Sequence, residues 1–163
     1  MDEVVLNKIE IELARRTAKR RYMSNREGGV DDSKIGPQSN YQTDVQGMLA
    51  EIAAAKYLNV YPDLKIENTA GGVDLLVPGL GTIDVKATTY SSGHLLAPMW
   101  KQERDHADLY LLVYIDKDDA HIYMVGWVYA ETLFNQENVK DFGHGETFAV
   151  SQEDLHPPAR IRL

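Results

Sequence analysis

The stretch from Gly71 to Tyr90, GGVDLLVPGLGTIDVKATTY, constrains this chain most, because two short apolar runs each carry a carboxylate where an ordinary core strand carries none. Asp74 interrupts the first run and Asp84 the second, with Lys86 two residues further on. Pro78, Gly79, Leu80 and Gly81 are turn formers, so the spacing predicts a hairpin of Val73 to Val77 and Thr82 to Ala87. Side chains alternate across a strand, which puts Asp84 and Lys86 on one face and Ile83 and Val85 on the other. A three-residue loop that faces Val77 with Gly81 also faces Asp74 with Asp84, and all three polar groups then share a face. A slip by two residues opposes Asp74 to Lys86 and keeps them together, whereas a slip by one sends Asp74 to the far face.

Two carboxylates and an ammonium on such a face are costly to bury unless paired or bound to a cation. The Asp oxygens are hard ligands of the kind Mg²⁺ and Mn²⁺ prefer. A lysine beside them is a point charge suited to phosphate or to a developing oxyanion. The same residues also allow a plainer arrangement, a structural Asp84–Lys86 pair on a sheet edge with Asp74 capping a turn. Upstream, Thr43 or Asp44 is a helix N-cap, and Val45, Met48, Leu49, Ile52, Ala53 and Lys56 trace one stripe of a helix that ends near Asn59. Glu51 falls on the flank of that stripe beside Gly47, Ala55 and Leu58, where a carboxylate can reach over the edge of a sheet.

An upstream Glu on a helix, an Asp in a strand and D-V-K in the next strand together resemble the PD-(D/E)xK nuclease superfamily, its small phage-type members in particular, over Gln42 to Val128. The residue before Asp74 is Val73 rather than proline. The resemblance implies an α/β, restriction-endonuclease-like fold with an α-β-β-β-α-β core and a central mixed sheet, to which this chain adds an N-terminal helix. It also implies metal-dependent hydrolysis of phosphodiester bonds in nucleic acid, DNA before RNA. Asp74, Asp84, Glu51 and the backbone carbonyl of Val85 would hold Mg²⁺, or Mn²⁺, and Lys86, Asp74, Asp84 and Glu51 would form the catalytic set. Gly126 to Val128, GWV, resembles the segment that closes the core in phage members, and the expected location is the cytoplasm, that of the host for a phage-encoded protein. The other reading on the same fold is a catalytically inactive nucleic-acid-binding or assembly protein. A nucleotide phosphotransferase of the commonest kind is disfavoured, because no G-x-x-x-x-G-K-[ST] loop occurs.

A length of 163 residues, 44% of them hydrophobic, predicts one domain: an N-terminal helix to residue 23, a loop over 24–41, a core over 42–128 and an extension over 129–163. The chain has no cysteine, which excludes disulfides and thiolate metal sites. Met1 is followed by Asp2 and Glu3, and no apolar run approaches membrane-spanning length, so no membrane partner is expected. A formal net charge of −8 argues against a general nucleic-acid coat protein, though not against a nuclease whose acidic site is screened by metal. Arg15, Arg16, Lys19, Arg20, Arg21 and Arg26 are six of seventeen basic residues in the chain. The first five trail on an amphipathic helix expected over Asp2 to Met23, with Arg26 in the loop that follows, and those five, with His94, are candidate nucleic-acid contacts. A solvated helix end accounts for the same cluster.

A short strand is expected over Leu64 to Glu67 and a turn over Thr69 to Gly72. Pro98 to His106 reads as a short helix, with Trp100 a packing residue and Lys101 and Arg104 either phosphate contacts or surface charges. Ala107 to Ile115, ADLYLLVYI, reads as a strand covered on both faces, with His121 to Val128 at hairpin distance. Tyr129 to Phe134 reads as a short helix, Gly143 to Glu146 as a turn before a strand Phe148 to Val150, and His156, Pro157 and Pro158 as the end of compact structure. His144 and His156 show no ligand spacing. The strand edges leave room for a homodimer.

Overall fold

The computed structural model describes residues 1–29, 40–66, 73–104 and 106–161. The chain opens not on a helix but on a strand, β1 (Asp2–Val5), with Val4 buried between exposed Glu3 and Val5. Helix α1 (Lys8–Glu27) starts only after Asn7, whose side chain accepts from the amides of Ile9 and Glu10 while the Glu10 carboxylate accepts from the Asn7 amide at 2.7 Å. That reciprocal cap fixes the helix start and frees residues 2–5 to pair with a sheet. The same helix runs on to a Gly28 cap, so the expected loop over 24–41 begins four residues late; its residues 30–39 lie outside the described residues.

Helix α2 (Asn40–Leu58) contains Thr43 and Asp44 rather than being capped by them. Its burial is not a stripe: every residue from Met48 to Ala55 is buried, because α1 covers one side and the sheet the other. Helix α2 packs on α1, and its buried Ala50, Ala53, Ala54 and Ala55 share the core with Ala14 and Ala18 of α1, small side chains that let helices approach closely. After α2 the left-handed Asn59 (φ 55°) turns the chain. No strand forms over Leu64 to Ile66, and Glu67 lies outside the described residues. Here the carbonyls of Asp63 and Lys65 accept from the Arg21 guanidinium instead of from a neighbouring strand. The expected Thr69 to Gly72 turn lies outside the described residues.

The hairpin is present as β2 (Leu75–Val77) and β3 (Gly81–Thr88), paired Leu75 to Ile83 and Val77 to Gly81. This is the three-residue register that sets Asp74 opposite Asp84. Between β3 and its parallel partner, the connection holds β4 (Leu95–Pro98) and a five-residue 3-10 turn, Met99–Glu103, where a helix to His106 was expected. Asp105 lies outside the described residues. Next come β5 (Leu109–Ile115), β6 (His121–Tyr129), the single-turn helix α3 (Ala130–Leu133), β7 (Val139–Asp141) and β8 (Glu146–Val150).

The main sheet has five strands in the order β1-β6-β5-β3-β2, mixed in direction because only β3 and β5 run parallel. A second sheet has the order β4-β8-β7. The molecule is therefore α/β in three layers: helices, five-stranded sheet, three-stranded sheet with α3. Strand β5 is covered on both faces as its composition predicts, with Leu109, Leu111, Val113 and Ile115 toward α2 and Tyr110 and Leu112 toward the second sheet. The chain does not leave the compact body at His156. That residue's amide and carbonyl bridge Trp127, the Trp127 indole donates to the Pro157 carbonyl at 3.1 Å, and Ile161 is buried in the main core. Gly126 permits the contact, since a Cβ there would stand 2.7 Å from Leu155 Cβ and 2.9 Å from the His156 carbonyl oxygen. Among the described residues no helix is long and apolar enough to cross a membrane.

Candidate metal and phosphoester site

Strand alternation carries Ile83 and Val85 into the core beneath α2 and turns Asp84 and Lys86 to the opposite face, toward the second sheet. Asp84 is 2% exposed. Its Oδ1 lies 2.6 Å from Lys86 Nζ, a charge contact off the hydrogen-bonding direction, so Oδ1 is buried with no hydrogen-bond donor among the described residues. Its other oxygen, Oδ2, accepts a short hydrogen bond from Lys101, which the 3-10 turn lowers into the layer between the sheets. One residue before β2, Asp74 extends the hairpin register: its amide donates to the Ile83 carbonyl at 3.1 Å and its Oδ2 accepts from the Val85 amide at 2.7 Å.

Glu51 reaches this edge of the sheet from α2, as its flank position predicts, and is 9% exposed. Arg21 holds both of its oxygens, at 3.2 and 2.9 Å, while donating to the backbone of Asp63 and Lys65. Burial raises the Glu51 pKa above the ordinary carboxylate value, Arg21 offsets part of that, and Asp63 and Asp84 add to it. Asp74 is pushed well above its ordinary value, first by burial and then by the charges of Glu51 and Asp84, against which Lys86 and the Val85 amide pull down. Burial alone would lower Lys86, but Asp84 and Asp74 outweigh it and keep its pKa above the usual ammonium value.

Three carboxylates (Glu51, Asp74, Asp84) thus gather with three cations (Arg21, Lys86, Lys101). Comparison of the chain with family models, curated proteins and solved structures gives no match. What the site can do rests on its own chemistry. Among the described residues no three His, Asp or Glu side chains converge into a ready-made cation cage. The donors nonetheless fit a hard divalent ion in kind. Asp84 Oδ1 is a buried oxygen that, among the described residues, has the Lys86 ion pair but no well-directed hydrogen bond, and Asp74 is a carboxylate whose acidic neighbours repel its charge, a repulsion that a cation relieves. The Val85 side chain is in the core and its amide serves Asp74.

Sequence reasoning brought Glu51, Asp74, Asp84 and Lys86 together and missed two neighbours. Lys101, read as a phosphate contact or a surface charge, is 5% exposed and paired with Asp84. Nothing local marks it, for it sits in a polar run, Lys101 to Arg104. Tyr110 lies opposite Asp84 in the β3–β5 register, is fully buried, and has a hydroxyl with no well-formed hydrogen bond among the described residues. Its signal was its place as one of two aromatic interruptions, with Tyr114, of an aliphatic strand; burial and the nearby Asp84 raise its pKa. Trp100, read as a packing residue, is 37% exposed and carries Arg104 over its ring at 5.0 Å.

The basic helix divides. Arg21 serves Glu51 rather than an outward face, Arg15 pairs with Asp119 at 3.1 Å, and Arg16 pairs with Glu12 at 2.6 Å. Lys19 and Arg20 stay exposed with no ion pair among the described residues, and with Arg16 they line a surface concavity. His94 packs its ring against exposed Phe142, with centroids 5.5 Å apart.

Proposed function

We propose that this chain is a metal-dependent nuclease that hydrolyses phosphodiester bonds, of DNA in the first instance, with a site of the PD-(D/E)xK type and the restriction-endonuclease-like fold that goes with it. The observation that carries the reading is the hairpin register, which sets Asp74 opposite Asp84 with Lys86 on the same face and Glu51 at the edge of the sheet. Asp74, Asp84 through Oδ1, the Val85 carbonyl and Glu51 would hold Mg²⁺ or Mn²⁺. The ion, when bound, supplies Lewis acidity and an attacking water of lowered pKa. Lys86, on the same face as Asp84 and 2.6 Å from it, would orient that water or stabilise negative charge in the transition state. Lys19 and Arg20 on α1 give the polyanion its backbone contacts.

Asp84→Asn preserves volume and removes the charge. Cleavage of linear, single-stranded and circular DNA in Mg²⁺ or Mn²⁺ should fall by at least about a hundredfold, with the fold retained. Equal turnover in wild type and variant would sink the assignment. A second reading, a binding or assembly module without cleavage, is favoured by one observation: Glu51 and Asp84 already have cationic partners from the chain itself. Such a module would shift DNA in a gel equally well in EDTA and in Mg²⁺ and would never shorten it.

A further inference from the structure

We propose that Lys101 is the positioning residue of the site, holding Asp84 by Oδ2 so that Oδ1 is the oxygen presented to a divalent cation. The inference rests on the metal-dependent reading above. The Asp84 carboxylate is asymmetric in its surroundings: Oδ2 accepts the Lys101 hydrogen bond, while Oδ1 is buried, has no well-directed hydrogen-bond donor among the described residues, and is ion-paired off-axis with the Lys86 ammonium at 2.6 Å. A carboxylate held at one oxygen cannot rotate about its Cβ–Cγ bond without breaking a charge-assisted hydrogen bond in a poorly solvated layer. Lys101 is itself held. Its side chain is 6% exposed, its ammonium lies 5.8 Å from the centre of the Tyr110 ring, and its neighbour Gln102 donates to the Phe134 carbonyl at 3.0 Å. Lys101 therefore stands to Asp84 as an outer partner stands to a ligating side chain, and removing such partners typically weakens metal binding about 10- to 100-fold.

The sign of the effect separates positioning from plain electrostatics. Removing a positive charge next to a cation site, by itself, tightens cation binding. Removing the group that orients the ligand weakens it. Mn²⁺ is titrated into wild type, Lys101→Met and Lys101→Arg and followed by the electron-spin-resonance signal of the free ion, with thermal unfolding as the check on folding. We expect Mn²⁺ affinity about tenfold or more below wild type in Lys101→Met, partly restored in Lys101→Arg. Equal or tighter binding in Lys101→Met overturns the positioning role and leaves the nuclease reading standing. Wild type that binds no Mn²⁺ removes the metal-dependent reading and this inference with it. If Lys101→Met does not fold, acylation of wild-type lysines read by mass spectrometry decides. A positioning ammonium stays protected with and without Mn²⁺, and metal-induced labelling of Lys101 would show that it leaves Asp84, which contradicts the proposal.

Discussion

Asp74 is the residue at which function and stability pull apart. Its pKa is raised because burial and the charges of Glu51 and Asp84 disfavour the carboxylate. The folded state therefore holds that proton more tightly than the unfolded chain does. The resulting contribution favours the fold below the ordinary Asp range and is lost as pH rises through the raised value. Above the ordinary Asp range the metal-free protein thus bears the cost of a carboxyl group whose charged form the fold disfavours. Asp74→Asn keeps an acceptor for the Val85 amide and should raise the melting temperature by about 2–4 °C at pH 7, an advantage that fades toward pH 3. A scan showing no gain at pH 7, or the same gain in acid, would contradict this. Mn²⁺ should bind wild type more weakly as pH falls, because the ligand must lose its proton. Asp74, Asp84 and Lys86 were legible in the sequence because alternation and a short Gly/Pro turn encode register within fifteen residues. Lys101 was not, since its burial is set by the packing of a second sheet that no local pattern announces.

At the scale of elements, two contacts tie distant segments to the site and to the core. Arg21 joins α1 to α2 and to the 63–65 segment through one guanidinium. Arg21→Ala strands the Glu51 carboxylate and should cost about 2 kcal/mol in urea unfolding, below the penalty of a fully buried pair because Arg21 is 26% exposed. Adding Glu51→Gln to Arg21→Ala should recover part of that loss. Gly126→Ala forces Leu155 and His156 off β6 and should cost about 1–3 kcal/mol, lowering the urea midpoint seen by Trp127 fluorescence. Strands β5 and β6 were readable from composition because a run buried on both faces is apolar throughout. Strand β1 was not: four residues of alternating pattern are also one turn of a helix, and only the Asn7–Glu10 cap separates the two. Strands β4 and β7 are three or four residues long and gain their identity from pairing with β8.

For the whole molecule, the net charge of −8 opposes approach to a polyanion, and the exposed cations of α1 counter it locally. If DNA follows that helix, the slope of log affinity against log salt should become shallower by about one for each of Lys19→Ala and Arg20→Ala. Arg15→Ala and Arg16→Ala, whose side chains have acidic partners, should change it less. An unchanged slope in the Lys19/Arg20 double variant would place the nucleic acid elsewhere. Strand β6 has a further consequence for how the molecule assembles. It pairs with residues 2–5 along one edge and, at Trp127, meets His156. On the ribosome, β1 waits through more than a hundred further residues for its partner. The edge that β1 completes closes only after β6 has been made, so β1 is locked in place later than β2, β3 and β5, which can pair before it.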